Sequence, residues 1–452
     1  MAEFARHEKT ERQLQRLSDA LKTGRLQPVR RLLNSLPAGE IADLLESLPP
    51  EPRNLVWELV DPSLDGEILV HVADEVRSSL IEAMEHEELV EATSELDLDD
   101  LADILDDLPD QVIKQILTVM DRTDRERLAQ VLSYPEHSAG GLMDPEVVTI
   151  RSDVNLDVVQ RYLRMRGAMP EPADDLFVTD REGRYLGRLA LADLLCREPD
   201  LPVEEIIRRG DRAIAVDLSA ADVATEFEHN DWVSAPVVDP AGRLLGRITI
   251  DDVVDVIREE AEHNVMSMAG LDEEDDMFAP VFASSKRRAL YLGVNLITAF
   301  VAGWFVGIFD HTLEQVVALA VLMPVVASMG GIAGSQTLTL MIRGMATGRI
   351  GPGNTSALLN KELAVGSLNG LLWALVVGIV ALLWFRLPML GIVAALAIVI
   401  NLVMGALAGV LVPIVLRRLA IDPALAGGVV LTTVTDVVGF VALLGLGSVL
   451  LL

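Results

Sequence analysis

Apolar and polar positions follow three different rhythms along the chain. Over residues 1–133 the apolar residues recur at helical spacing, and Leu-Pro pairs (Leu36-Pro37, Leu48-Pro49, Leu108-Pro109) punctuate the runs, as in short amphipathic helices closed by turns. The stretch "IADLLESLP" at 41–49 returns as "LADILDDLP" at 101–109, which predicts an all-α superhelix built on a repeat. In the second copy Leu101, Ile104, Leu105 and Leu108 form the stripe expected to be buried, with Asp99, Asp103, Asp106 and Asp110 on the opposite face. Next, "VTDREGRYLGRLALADLL" at 178–195 returns as "VVDPAGRLLGRITIDDVV" at 237–254, a period of 59 residues. Each copy reads strand, tight Asp/Gly turn, strand, helix, which predicts paired α/β modules at 134–199 and 200–257. Residues 251–276 predict an acidic helix that ends near Gly270 and carries Asp251, Asp255, Glu259 and Glu262 on one side. This helix and its linker, 258–285, join the modules to the apolar half of the chain. Apolar stretches at 289–309, 316–342, 363–385, 389–416 and 424–452 each reach the roughly 20 residues that cross a bilayer. They predict an α-helical membrane domain of five spans over 286–452, so the fold class is multidomain.

Charge sharpens this division. The net charge is −31, but residues 285–452 hold nine Lys/Arg and five acids, leaving 28 basic and 63 acidic residues before them. Such an acidic portion repels nucleic acid and attracts cations, so no nucleic-acid partner is expected. The lone Cys196 cannot form an intrachain disulfide and fits a reducing compartment. The amino-terminal "MAEFARHEKTERQLQRL" lacks the apolar core of a signal peptide. With the acidic part in the cytoplasm, Lys286, Arg287, Arg288, Arg343, Arg349, Lys361, Arg417 and Arg418 face the cytoplasm and only Arg386 faces outward. That asymmetry predicts a multi-pass protein of a bacterial-type inner membrane, amino terminus inside and carboxyl terminus outside.

Several residues carry candidate chemistry. Asp436 lies near the centre of the fifth span, "VVLTTVTDVVGFVALLGLG", where a carboxylate costs about 2.5–3.5 kcal/mol on insertion scales. In the second span Pro324 predicts a bend, and Gly330, Gly331 and Gly334 permit close helix approach. Ser328, Gly331, Ser335 and Thr339 share one face there; Gly428, Thr432, Asp436 and Gly439 share one in the fifth. Two polar stripes face to face would make a wet seam for an ion, with Asp436 as its fixed charge. The competing reading is a protonated Asp436 that bonds a neighbouring helix, with glycines that serve packing alone. The seven aspartates between 97 and 110 read either as a solvated face or as a divalent-cation site. No Walker-type phosphate loop and no nucleophile–base pair is evident, so an enzyme is not expected.

The paired repeat resembles paired CBS modules. Thr249 and Asp252 match the Thr-x-x-Asp that grips adenosine ribose in many of them, although Thr249 could equally cap the following helix. The first copy has Ala190 in place of the hydroxyl and keeps Asp193, so at most one nucleotide site per chain is supported. The whole order of parts resembles the MgtE magnesium channel/transporter family, most sharply in "MPVVASMGGIAGSQTLTLMIRGMATG" and "IDPALAGGVVLTTVTDVVG". The resemblance implies a homodimer in the lipid bilayer, with Gly331, Ser335, Gly428, Thr432 and Asp436 lining the pore. It implies hydrated Mg2+ at Asp436 and regulatory Mg2+ at Asp99, Asp103, Asp231, Asp255, Glu259, Glu260 and Asp422, which closes the pore from the cytoplasm. ATP or another adenine nucleotide would sit at Thr249 and Asp252. The chain departs from the family pattern at Ile332, Ser335 and Gly428-Val429, where amides or Asn-Pro are common, and at His263 and Asn264, where acids are expected. Two alternatives therefore stand beside Mg2+ uptake: a Co2+ or Mn2+ importer of the same architecture, and a non-conducting CBS-based membrane sensor.

Overall fold

Proline sets the helix starts of the acidic half. In the computed structural model, which describes residues 14, 15, 17, 20, 21 and 26–452 except 95, 168, 171, 172, 211, 272–275 and 352, the superhelix runs through α1 (Leu26–Leu33), α2 (Ala38–Glu46), α3 (Pro50–Trp57), α4 (Asp65–His71), α5 (Asp74–Ala83), α6 (His86–Thr93), α7 (Leu98–Ile104), α8 (Asp110–Val119) and α9 (Arg122–Val131). Pro37, Pro49 and Pro109 occupy the N-caps of α2, α3 and α8, just ahead of the first turn, where a missing N–H leaves no helical bond unmade. The repeat is visible in the core: Ile41, Leu45, Leu48, Leu101, Leu105 and Leu108 are buried in one cluster. The helix expected across 101–108 is shorter, because α7 stops at Ile104 and tightens into a 3₁₀ turn at Leu105–Asp107. Most of the amino-terminal segment read for a signal peptide lies outside the described residues.

The 59-residue period holds at the level of hydrogen-bond register. Strands β1 (Thr149–Arg151), β2 (Asp175–Thr179) and β3 (Tyr185–Ala190) form one sheet, and β4 (Ile214–Ala215), β5 (Ser234–Val238) and β6 (Leu244–Thr249) form the other. In each, the first pair is parallel and the second antiparallel. Asp175 pairs with Ala190 and Ser234 with Thr249, and the register shifts at Val178/Thr179 and again at Val237/Val238. The hairpin turns need positive φ, met by Gly183 (+78°) and Gly242 (+79°). These turns bond to one another: Tyr185 N–H donates to the Gly242 carbonyl at 2.9 Å, and Leu244 N–H to that of Gly183 at 3.0 Å. The two modules therefore meet through equivalent atoms. Between them run α10 (Leu156–Arg166), α11 (Leu191–Cys196), α12 (Val203–Ile206) and α13 (Ala220–Asn230); the connecting helix α14 (Ile250–Met268) follows.

The chain divides into two compact units, Met1–Ala261 with Glu274–Ala279, and Glu262–Glu273 with Pro280–Leu452. In the second, α15 (Val281–Gly307), α17 (Ala318–Ala346), α18 (Thr355–Phe385), α19 (Pro388–Arg418) and α20 (Pro423–Leu450) are, among the described residues, the helices long and apolar enough to cross a membrane. Between α15 and α17 lies the short helix α16 (Asp310–Gln315). Helix α19 forms the centre, packing against α17, α18 and α20, with Val393, Ala394, Ala397 and Ile398 fully buried. Apolar burial gives little drive between helices in lipid, so close backbone contact takes its place. A Cβ on Gly405 of α19 would lie 2.7 Å from the carbonyl oxygen of Gly330 on α17. Gly405→Val should therefore force the two helices apart and cost about 1–3 kcal/mol, read as a lower unfolding midpoint of the detergent-purified protein.

Candidate functional site

A gap between α17 and α20 brings several polar side chains of the membrane unit together. A cavity of about 780 Å³ opens there, walled by Ser328, Gly331, Ile332, Ser335, Gln336 and Thr339 of α17 and by Thr432 and Asp436 of α20. The helices approach closely, since a Cβ on Gly331 would stand 3.9 Å from Thr435 Oγ1. Ser328, Ser335, Gln336, Thr339 and Thr432 are exposed in the single chain, and Asp436 is half-buried. Among the described residues no side chain hydrogen-bonds or ion-pairs with the Asp436 carboxylate. The polar faces read from the sequence thus meet at Ser328, Gly331, Ser335, Thr339, Thr432 and Asp436. Gly428 is not part of the wall and has open space beside it. Gly439 turns instead toward Asn401 of α19.

Two residues that the sequence reading passed over support this seam. Asn401 is fully buried, and its Nδ2 donates to the Val326 carbonyl at 2.7 Å. A Cβ on Gly330 or on Gly439 would strike its amide, so Asn401 wedges between the two seam helices. Glu362, also buried, accepts from Thr337 Oγ1 at 3.0 Å and pairs with Lys361 Nζ at 2.7 Å, tying α18 to α17. The signal was present for Asn401, an isolated polar residue in an apolar run, where such residues carry a reason; Glu362 follows Asn360 and Lys361 at the edge of its span and does not stand out.

A second candidate site lies in the first unit. Asp99 is half-buried, whereas Asp103, Asp106 and Asp110 keep solvent-exposed surface, as the sequence pattern predicts for that face. Burial, then the charges of Asp144, Asp252 and Asp100, push Asp99 up to about 9. Asp100 rises to about 7 through burial and then Asp252, Asp97 and Asp251. Asp103 rises to about 7 through burial, Asp100, Glu136 and Asp252, and Asp252 to about 6, chiefly through burial. Asp99 Oδ1 is buried without a partner. The nearby base, Arg247, is already engaged by Asp144 at 3.1 Å. Burial also raises Asp255 and Glu259 above the usual carboxylate range, with Asp255 adding to the rise at Glu259. Glu260 is half-buried on α14.

Other expected sites are occupied differently. Asp231 ends α13 in the left-handed conformation, φ +52°, and is not among the charges that raise Asp99, Asp100, Asp103 or Asp252. Asp422 caps α20, accepting from Ala424 N–H at 2.9 Å and Leu425 N–H at 3.1 Å, and meets His263 Nε2 at 3.4 Å. Thr249 N–H and Oγ1 donate to Asp252 at 3.0 and 2.9 Å, and the hydroxyl also reaches Asp251, so the pair closes on itself at the start of α14. In the first module Asp193 pairs with Arg197 and Arg208, each at 3.3 Å. Among the described residues no three acids, histidines or cysteines converge as a ready metal site.

Comparison with known proteins follows this division. Residues 323–446 match the MgtE divalent cation transporter profile, 36–137 the MgtE intracellular N domain and 203–259 the CBS domain. The magnesium transporter MgtE of Thermus thermophilus is 33% identical over 445 residues, covering 96% of this chain and 98% of that protein. The magnesium transporter MgtE of Bacillus subtilis is 26% identical over 432 residues, covering 95% of each chain. A crystal structure of the cytosolic domain of the Mg2+ channel MgtE in complex with ATP is 32% identical, covers 53% of this chain and 98% of its own, and superposes with a TM-score of 0.48.

The raised acids make stability pH-dependent. Asp99, Asp100, Asp103 and Asp252 hold protons more tightly in the fold than in an unfolded chain, where carboxylates titrate near about 4. Their protonation supports the fold fully below that value, and this support is lost as pH rises through about 6 to 9. In chelator, the unfolding midpoint of the acidic unit should fall between pH 5 and 9. A divalent cation should restore more of it at pH 9 than at pH 5, because it competes with protons for the same oxygens.

Proposed function

Because the chain belongs to the MgtE family of divalent cation transporters, we propose that it is a Mg2+-gated channel that takes up Mg2+ into the cytoplasm and that its acidic and CBS domains sense Mg2+ and close the pore. The observation that carries this reading is the open seam with an unpartnered Asp436 in its wall. Serine, threonine and glutamine side chains there can meet the water shell of a cation, which suits Mg2+ because it dehydrates reluctantly. The seam residues are exposed in one chain, and a second copy placed across a two-fold axis would supply the missing wall and a second Asp436. With the basic residues at the cytoplasmic ends of the spans, the membrane potential favours entry of a divalent ion by roughly 4.6 kcal/mol per 100 mV, twice the single-charge value of about 2.3. Downhill movement needs no chemical step, which supports a channel rather than an enzyme.

In the cytosolic unit, Asp99, Asp103, Asp255 and Glu259 would hold the regulatory ions. Asp99 fits that role through its orphaned buried oxygen, which calls for a proton or a cation. Each ion favours the closed arrangement only by its tighter binding there. Asp422 fits less well, since its carboxylate caps α20, and Asp231 stands at the C-terminal end of α13, outside the group of charges around Asp99. An adenine nucleotide would take the second CBS module, displacing the self-bonded Thr249 and Asp252. Ile332, exposed in the seam, favours a second possibility, weak discrimination of Mg2+ from Co2+ or Mn2+.

Flux into liposomes holding the purified protein tests the pore. Asp436→Asn keeps the shape and removes the charge, so uptake should fall by about tenfold or more while dimerisation is retained; near wild-type flux would sink the assignment. Removal of residues 1–133 should leave a conducting protein that no longer shuts at millimolar Mg2+, and full inhibition of that truncated protein would make the superhelix a scaffold only.

A further inference from the structure

We propose that the superhelix carries a docking surface for the acidic linker that precedes the first membrane helix, with Arg53 as its socket and Asp276 as the residue it grips. Arg53, on α3, is 1% exposed. Its Nε donates to the Leu45 carbonyl at 3.0 Å, and its Nη2 lies 2.8 Å from Asp276 Oδ2, an ion pair by distance and not an aligned hydrogen bond; the Asp276 side chain is 5% exposed. The Asp276 backbone is held as well: its N–H donates to Glu75 Oε2 on α5 at 2.7 Å. One linker residue is thus fixed at side chain and backbone by two different superhelix helices.

Burial decides the weight of this contact. Exposed ion pairs contribute little because water and salt screen them. Here both charges are out of water, and either one left alone would be a buried unpaired ion. The surroundings sharpen the selectivity. The superhelix is rich in carboxylates and the linker reads "LDEEDDMFAP", so the two would repel without a cation between them. Arg53 supplies that cation. Beyond the clamp, Asp276 Oδ1 accepts from Phe278 N–H at 2.8 Å, folding a tight turn, and the chain passes through Pro280 into α15 at Val281. Residues 274–279 accordingly group with the superhelix and CBS unit and not with the membrane unit. The superhelix therefore holds the chain five residues before the start of α15, at a point separate from α14.

Proteolysis of the full chain in detergent tests the clamp without reference to transport. Met277 and Phe278 are 79% and 38% exposed, so chymotrypsin can reach the side chain, but cleavage requires the held backbone to open. Asp276→Asn, on the linker and outside the superhelix core, should speed cleavage at Phe278 by about tenfold. Arg53→Met should do the same, and adding Asp276→Asn to it should change nothing further. Cleavage of Asp276→Asn at the wild-type rate would overturn the proposal. So would an acceleration by Asp276→Asn that is undiminished when Arg53 is already absent.

Discussion

A carboxylate taken out of water must find a proton, a base or a cation. Much of this protein is arranged around that constraint. Three solutions appear in one chain. Asp276 is given a base, Arg53. Asp99 and its neighbours share a region whose arginine is already engaged, so protons or divalent ions must supply the missing charge. Asp436 faces a polar seam with no protein partner among the described residues. The first solution makes a fixed contact, the second a responsive one, and the third leaves a carboxylate open to a mobile cation, as the proposed pore site requires. A base beside Asp436 would remove that last property.

The seam depends in turn on close packing behind it. Gly330 and Gly334 of α17 lie against the backbone of α19, with added Cβ atoms 2.7 Å from their carbonyl oxygens at Gly405 and 2.8 Å at Gly409. Asn401 fills the space between Gly330 and Gly439 and bonds the Val326 carbonyl. The glycines of α17 therefore serve two faces. Gly330 and Gly334 pack toward the helix core, while Gly331 turns to the cavity. Packing and cavity are one arrangement viewed from opposite sides of the same helix.

Much of this was legible in the sequence, for identifiable reasons. The 59-residue repeat returned with the same strand register because alternation and turn chemistry are local properties. The polar stripes met because residues three and four apart share a helix face. Asp99 was misplaced in part: a helical pattern gives its side of α7 but not what covers it, and Asp144 and Asp252 come from distant sequence. Arg53 and Asp276 were invisible for the same reason, since neither position stands out in composition. Gly428 shares the periodicity of Asp436, yet it lies beyond the cavity wall, because periodicity fixes a direction around a helix and not how far the partner helix extends.

The cap of α20 limits how the connecting helix can act on the seam. Asp422 holds the first turn of α20 and meets His263 of α14 at 3.4 Å. Asp436 is 14 residues further along that helix, roughly 21 Å at about 1.5 Å per residue. The His263 and Asp422 side chains are 42% and 36% exposed, and charge at such solvent-reached positions is screened over about 8–10 Å. A change at this contact therefore reaches Asp436 very little as an electric field. What it can transmit is position. The helix is continuous from Pro423 to Leu450, and its far half is pinned where Gly439 meets Asn401. A shift of the capped end must tilt or rotate α20 about that point, and the residues it moves on the way, Thr432 and Asp436, are those that wall the cavity.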